Sequence, residues 1–74
     1  MGKLPIIKPQ QMINYIKSIG FEEVRQKGSH KFFKHPDGRT ACIPFHQNED
    51  LGRGITSKIL KDVKVSPEEF LNWL

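Results

Sequence analysis

Apolar positions along the chain change period twice, and those changes mark out the elements. From residue 9 the period is helical: Met12, Ile13, Ile16 and Ile19 share one arc, while Gln10, Asn14, Lys17 and Ser18 face away. Pro9 suits the first position of a helix, where its missing N–H costs nothing, and Gly20 suits the left-handed residue that ends one. The pattern predicts a helix over 9–19. Residues 21–27, 29–35 and 39–44 are instead short runs rich in aromatic and β-branched side chains, separated by Gly28 and by His35-Pro36-Asp37-Gly38. They read as a three-stranded antiparallel meander. Strand alternation predicts Val24, Phe32, Ala41 and Ile43 on its core face, with Lys31, Phe33 and His35 sharing the other.

A polar loop over 45–53 leads back to helical spacing, with Ile55, Ile59, Leu60 and Val63 on one side. Ser66-Pro67-Glu68-Glu69 has the form of a capping box, flanked by Val65 and Phe70 at the staple positions. The last helix is therefore predicted over 67–73, burying Phe70, Leu71 and Leu74. The expected fold is α+β, in the order α-β-β-β-α-α, with the helices on one face of the sheet.

Length narrows the function classes. Seventy-four residues, 36% of them hydrophobic, make one thin core, so a single domain over 1–74 is expected. No apolar run approaches the roughly 18 residues of a membrane span. The start, MGKLPIIKPQQ, has no apolar stretch or cleavage site of a secretory leader. A lone cysteine, Cys42, cannot form an internal disulfide, which suits a reducing cytoplasm. The expectation is a small cytoplasmic protein without membrane attachment.

Charge adds a location. The net charge is +4, and residues 24–40 account for all of it: Arg25, Lys27, Lys31, Lys34 and Arg39 stand against Asp37 alone. Phe32 and Phe33 interleave with these cations, the footprint of a nucleic-acid binder. A solvated face of a strand pair would produce the same pattern.

His30 is the first candidate for chemistry. It follows a glycine turn, opens a strand and lies inside the basic segment, where an imidazole could exchange protons with a phosphodiester held by the cations. An ordinary strand histidine is the other reading. His30, His35 and His46 are spaced five and eleven apart, which fits no standard zinc pattern, so no metal site is expected. Ser29 next to His30 is badly placed as a nucleophile, because neighbouring strand residues point to opposite faces. Capping the turn or binding phosphate suits it better. Leu51-Gly52-Arg53-Gly54 lacks the Gly-Lys-Ser/Thr ending of a phosphate-binding loop, although it opens a helix.

Taken in order, Gly28-Ser29-His30, His35-Pro36-Asp37-Gly38-Arg39, Ile43-Pro44, His46, Leu51, Gly54 and the closing helix after Ser66 resemble the HicA (YcfA-like) toxins. The resemblance spans nearly the whole chain. It departs at Phe32-Phe33, where the family commonly has one aromatic. It implies a fold similar to a double-stranded-RNA-binding domain and an mRNA interferase activity that arrests translation. It also implies neutralisation by a HicB-like antitoxin. The family's functional histidine falls on His30, and the glycine of its motif on Gly28. His46 matches a second histidine of the pattern, without a role.

The resulting expectation is a cofactor-free, metal-independent endoribonuclease, monomeric when free, with His30 as general base. Gly28, Ser29, Arg25, Lys27, Lys31, Lys34 and Arg39 would bind the RNA. RNA supplies its own nucleophile, the ribose 2′-hydroxyl, so one base and a few cations could suffice. The competing readings are a non-catalytic RNA-binding module of the same fold, and a protein whose basic strand face docks an acidic partner.

Overall fold

A computed structural model describes residues 4–46 and 48–74. The first three residues, which bear on the expected absence of a leader, and position 47 of the polar loop lie outside the described residues. The chain runs α1 (Pro9–Ser18), β1 (Glu22–Lys27), β2 (His30–Lys34), β3 (Thr40–Pro44), α2 (Arg53–Asp62) and α3 (Pro67–Trp73). The strands form one antiparallel sheet in the order β1-β2-β3. Its elements are those the apolar pattern predicts, with ends trimmed by one residue or so.

Local chemistry accounts for the helix ends. At the start of α1 the Lys8 backbone N–H donates to Gln11 Oε1 at 2.9 Å, and Pro9 occupies the first helical position. Gly20 stops the helix at φ +105°, while the Phe21 N–H reaches back to the Ile16 carbonyl at 3.0 Å. At α3 the Glu69 backbone N–H donates to Ser66 Oγ at 3.2 Å, as a capping serine requires. That helix docks on α1 through Phe70 and Trp73, whose rings meet Tyr15 edge-on with centroids 5.0 and 5.2 Å away.

All the buried apolar side chains form one cluster between the helices and one sheet face. Met12, Ile13, Tyr15 and Ile16 enter from α1, Ile59 and Leu60 from α2, Phe70 from α3, and Phe33, Ala41 and Ile43 from the sheet. Two of the four expected strand core residues are therefore misplaced. Phe33 is 1% exposed, whereas Val24 is 58% exposed and Phe32 is half-buried on the opposite face.

The cause is register. Lys31 and Phe33 pair with Ile43 and Ala41, so all four share the helix-facing side. Val24 is the extra residue of a β-bulge, since β1 pairs Glu23 with Phe33 and then Arg25 with Phe32. Lys31, Phe33 and His35 do not form an outer face as expected. Two smaller corrections concern helices. Ile55 is exposed and Thr56 takes its place on the buried arc of α2, while Leu74 is 48% exposed beyond the end of α3.

Candidate nucleic-acid interface

The hairpin between β1 and β2 sets the site. Gly28 takes φ +59° in the first central position of its two-residue turn, a conformation that glycine reaches without strain. Gln26 Nε2 donates to the Gly28 carbonyl at 3.1 Å and holds the turn closed. His30 then opens β2, opposite Lys27 on one side and Pro44 on the other. It is exposed, and no protein group among the described residues hydrogen-bonds its ring.

The bulge at Val24 determines what surrounds this histidine. In a regular strand Arg25 and Lys27 would follow Glu23 onto the helix-facing side. The extra residue turns them over instead, opposite Phe32 and His30. The face away from the helices therefore carries Arg25, Lys27, His30, Phe32, Lys34, Thr40, Cys42 and Pro44, with Glu22 opposite Lys34. The Arg25 guanidinium lies over the Phe32 ring, 4.5 Å from its centroid. Among the described residues, no carboxylate pairs with Arg25, Lys27 or Lys34. An open depression of about 780 Å³ runs across this face, lined by Arg25, Phe32, Lys34, Thr40 and Cys42 and reaching Lys64 at the end of α2.

The other expected binding residues lie elsewhere. Lys31 points to the helix side, where its Nζ sits 3.9 Å from Glu23 Oε1 and 4.4 Å from the centre of the Phe45 ring. Arg39 is folded back into the protein. Its Nε donates to Asp37 Oδ2 at 2.8 Å, an Nη donates to the Val63 carbonyl that ends α2, and the guanidinium covers Phe21. The Arg39 backbone N–H, 3.0 Å from Asp37 Oδ1, and then the Arg39 guanidinium hold the Asp37 carboxyl below the usual carboxylate range.

The three histidines are also separated. His35 is built into the fold: Nδ1 accepts from the Asp37 N–H at 3.1 Å and Nε2 donates to the Ile19 carbonyl at 3.0 Å. Its ring meets Phe21 edge-on. His46 lies at the hairpin end. The Phe45 N–H donates to the Ser29 carbonyl, and Ser29 Oγ lies 3.4 Å from His46 Nε2. Seventeen residues apart in sequence, Ser29 and His46 meet because β3 runs antiparallel to β2 beyond the pair His30–Pro44. The described residues contain no group of three His, Cys, Asp or Glu side chains able to hold a metal ion.

Sequence reading missed two features of this site. One is Phe32 as the aromatic of the outer face, which depends on register across three strands. The other is the approach of His46, for which the only signal was its proximity to Pro44, the residue that ends β3.

Comparison with curated proteins returns no match. The model of the HicA toxin of bacterial toxin–antitoxin systems matches residues 9–65, from the first residue of α1 to just before α3. That span takes in the hairpin, the whole sheet and α2, and includes the Gly28-Ser29-His30 motif whose placement has just been described. A HicA toxin works against a cognate antitoxin, so a partner protein comes with the assignment. With most of its length matched, the chain belongs to the HicA family of bacterial toxins.

Proposed function

We propose that this toxin is an endoribonuclease, an mRNA interferase that arrests translation in the cytoplasm, with His30 as its general base. The observation that carries this reading is an exposed imidazole on an open sheet face, in register beside Lys27, with Arg25 and Lys34, cations that no carboxylate pairs with among the described residues, on the same side. Those cations bind the phosphate backbone of RNA, and release of its counterions drives association. His30 removes the proton from the ribose 2′-hydroxyl, the 2′-oxygen attacks phosphorus, and the bond to the 5′-oxygen breaks. The products are a 2′,3′-cyclic phosphate and a 5′-hydroxyl. Cations near the phosphate offset the charge that builds on the phosphorane.

Water supplies the proton to the departing 5′-oxygen, and His46, 3.4 Å from Ser29 Oγ, lies at the same end of the sheet. No metal ion or cofactor enters this scheme. Gly28 shapes the turn, and Ser29 supplies a hydroxyl at the same end. Lys31 and Arg39 act on the fold rather than on RNA. The free protein is a monomer, and a HicB-like antitoxin inhibits it by covering the face that bears His30.

The test is cleavage of end-labelled mRNA by purified protein in excess chelator. His30→Ala should lose about 10²–10⁴ in rate, the usual contribution of a general base, while keeping its circular dichroism spectrum and its antitoxin. A folded His30→Ala protein that cuts near the wild-type rate removes His30 from the mechanism. Wild-type protein that binds RNA and never cuts it would favour the non-catalytic module.

A further inference from the structure

We propose that the outer face of the sheet carries a stacking subsite for one unpaired nucleobase, built on Phe32 and Arg25, so that the RNA engaged there is single-stranded. This rests on the RNA-directed reading above and specifies how the strand is held.

Phe32 occupies the middle of the central strand, on the side that no helix covers. A half-buried phenyl ring in that position leaves apolar surface in water that the Phe33 site shows could have been buried. Its neighbours give the exposure a use. Arg25 lies 4.5 Å from the ring centroid and offers a second planar, charged surface. The depression lined by both has a volume within the roughly 300–1,000 Å³ of small-molecule sites. Its rim carries Lys34, Arg39 and Lys64. The two rim carboxylates are already paired, Asp37 with Arg39 and Asp62 with Lys58, which leaves Lys34 and Lys64 as cations without a carboxylate among the described residues.

An aromatic platform edged by cations is the arrangement that holds single strands: the charges track the backbone and each base offers a π-face to the ring. Duplex RNA cannot use it. Its bases are stacked inside the helix, and duplex readers rely on shape and on 2′-hydroxyl and phosphate contacts across some 16 base pairs. Strands of five and six residues reach only about 17–20 Å, enough for a few nucleotides. Position along the strand matters too. Phe32 and His30 are two residues apart on one face, about 6.6 Å, which is of the order of one nucleotide step in an extended strand. A base seated on Phe32 would therefore belong to a nucleotide adjoining the phosphodiester presented to His30.

The experiment uses the full-length His30→Ala protein, so that nothing is cut, and a 16-nucleotide RNA with G- and C-rich ends whose central 2-aminopurine is flanked by uridines. Titration should quench the 2-aminopurine fluorescence and give an affinity at least ten-fold tighter than for the same strand annealed to its complement. Phe32→Leu should abolish the quench and weaken binding roughly 5- to 100-fold, the loss of one base–aromatic stack, while Phe32→Trp retains both. Circular dichroism verifies that each variant is folded. Equal affinity for duplex and single strand overturns the proposal, as does a Phe32→Leu protein that binds and quenches like its parent. So does a Phe32→Leu protein that loses only its antitoxin. Stacking by a protein whose wild type never cuts RNA would leave the subsite standing and remove the nuclease reading, so the two fail separately.

Discussion

Gly20→Ala should destabilise the protein by about 2–4 kcal/mol, through its contact with the buried side of the His35 ring. Gly20 sits at φ +105°, where an L side chain is strained by about 1–2 kcal/mol. A Cβ there would lie 2.8 Å from His35 Nε2 and 3.1 Å from its Cδ2, so the ring must move. It is poorly able to. Nδ1 is held by the Asp37 N–H, Nε2 by the Ile19 carbonyl, and the ring edge rests against Phe21. Swinging it away breaks at least one hydrogen bond, worth about 1 kcal/mol, and disturbs the packing on Phe21.

Gly38 provides the control. Its φ of +100° is nearly the same, yet nothing lies within 4 Å of the Cβ position, so Gly38→Ala should show the backbone strain alone. In urea or thermal unfolding the two variants should differ by about 1–2 kcal/mol, with Gly20→Ala lowering Tm by about 4–8 °C for each kcal/mol lost. Placed in a His35→Ala background, Gly20→Ala should cost no more than Gly38→Ala, because the two residues are coupled through contact. Equal effects of the two glycine variants in the wild-type background would refute the reasoning. Specific activity per folded molecule should be unchanged in Gly20→Ala, since His35 is a structural histidine.

Other expectations follow from the same geometry. Arg25→Glu and Lys34→Glu should weaken binding of every RNA sequence alike and flatten its salt dependence by about 0.7 per lost phosphate contact; Lys58→Glu on α2 should do neither, and equal effects at all three would show that the outer sheet face is not the binding surface. Phe33→Ala should cost about 3–5 kcal/mol in denaturant unfolding and Val24→Ala under about 0.5, an order that the alternation read from sequence would reverse. The folded-state pKa of Asp37 is depressed, so its contribution to stability is full above the unfolded value of about 3.9 and fades as pH falls through the lower folded value. The stability gap between wild type and Asp37→Asn should therefore close on acidification below about pH 4; a gap that stays constant from pH 6 to pH 2 would contradict the hydrogen bonds assigned to Arg39.

Much of the fold was legible in the sequence because its signals are local. The arc of Met12, Ile13 and Ile16 marks α1, Gly20 and Gly38 mark turns at positive φ, and Ser66 with Glu69 marks the start of α3. Each depends on a few consecutive residues and on the allowed regions of φ and ψ. The position of His30, exposed at the start of β2 after a glycine turn in the one segment that holds the net charge, was legible too. Which face of β2 turns inward was not. Phe32 and Phe33 are both aromatic, adjacent and on opposite sides, so composition cannot choose between them. The choice belongs to the pairing of Phe33 with Ala41 and of Lys31 with Ile43, which puts the smaller and branched side chains of β3 against the helices. The bulge at Val24 is likewise invisible along the chain, yet it alone brings Arg25 and Lys27 to the side of His30. Strand alternation has a period of two, so a single extra residue reverses every side chain beyond it, and only the packed sheet decides where that residue goes.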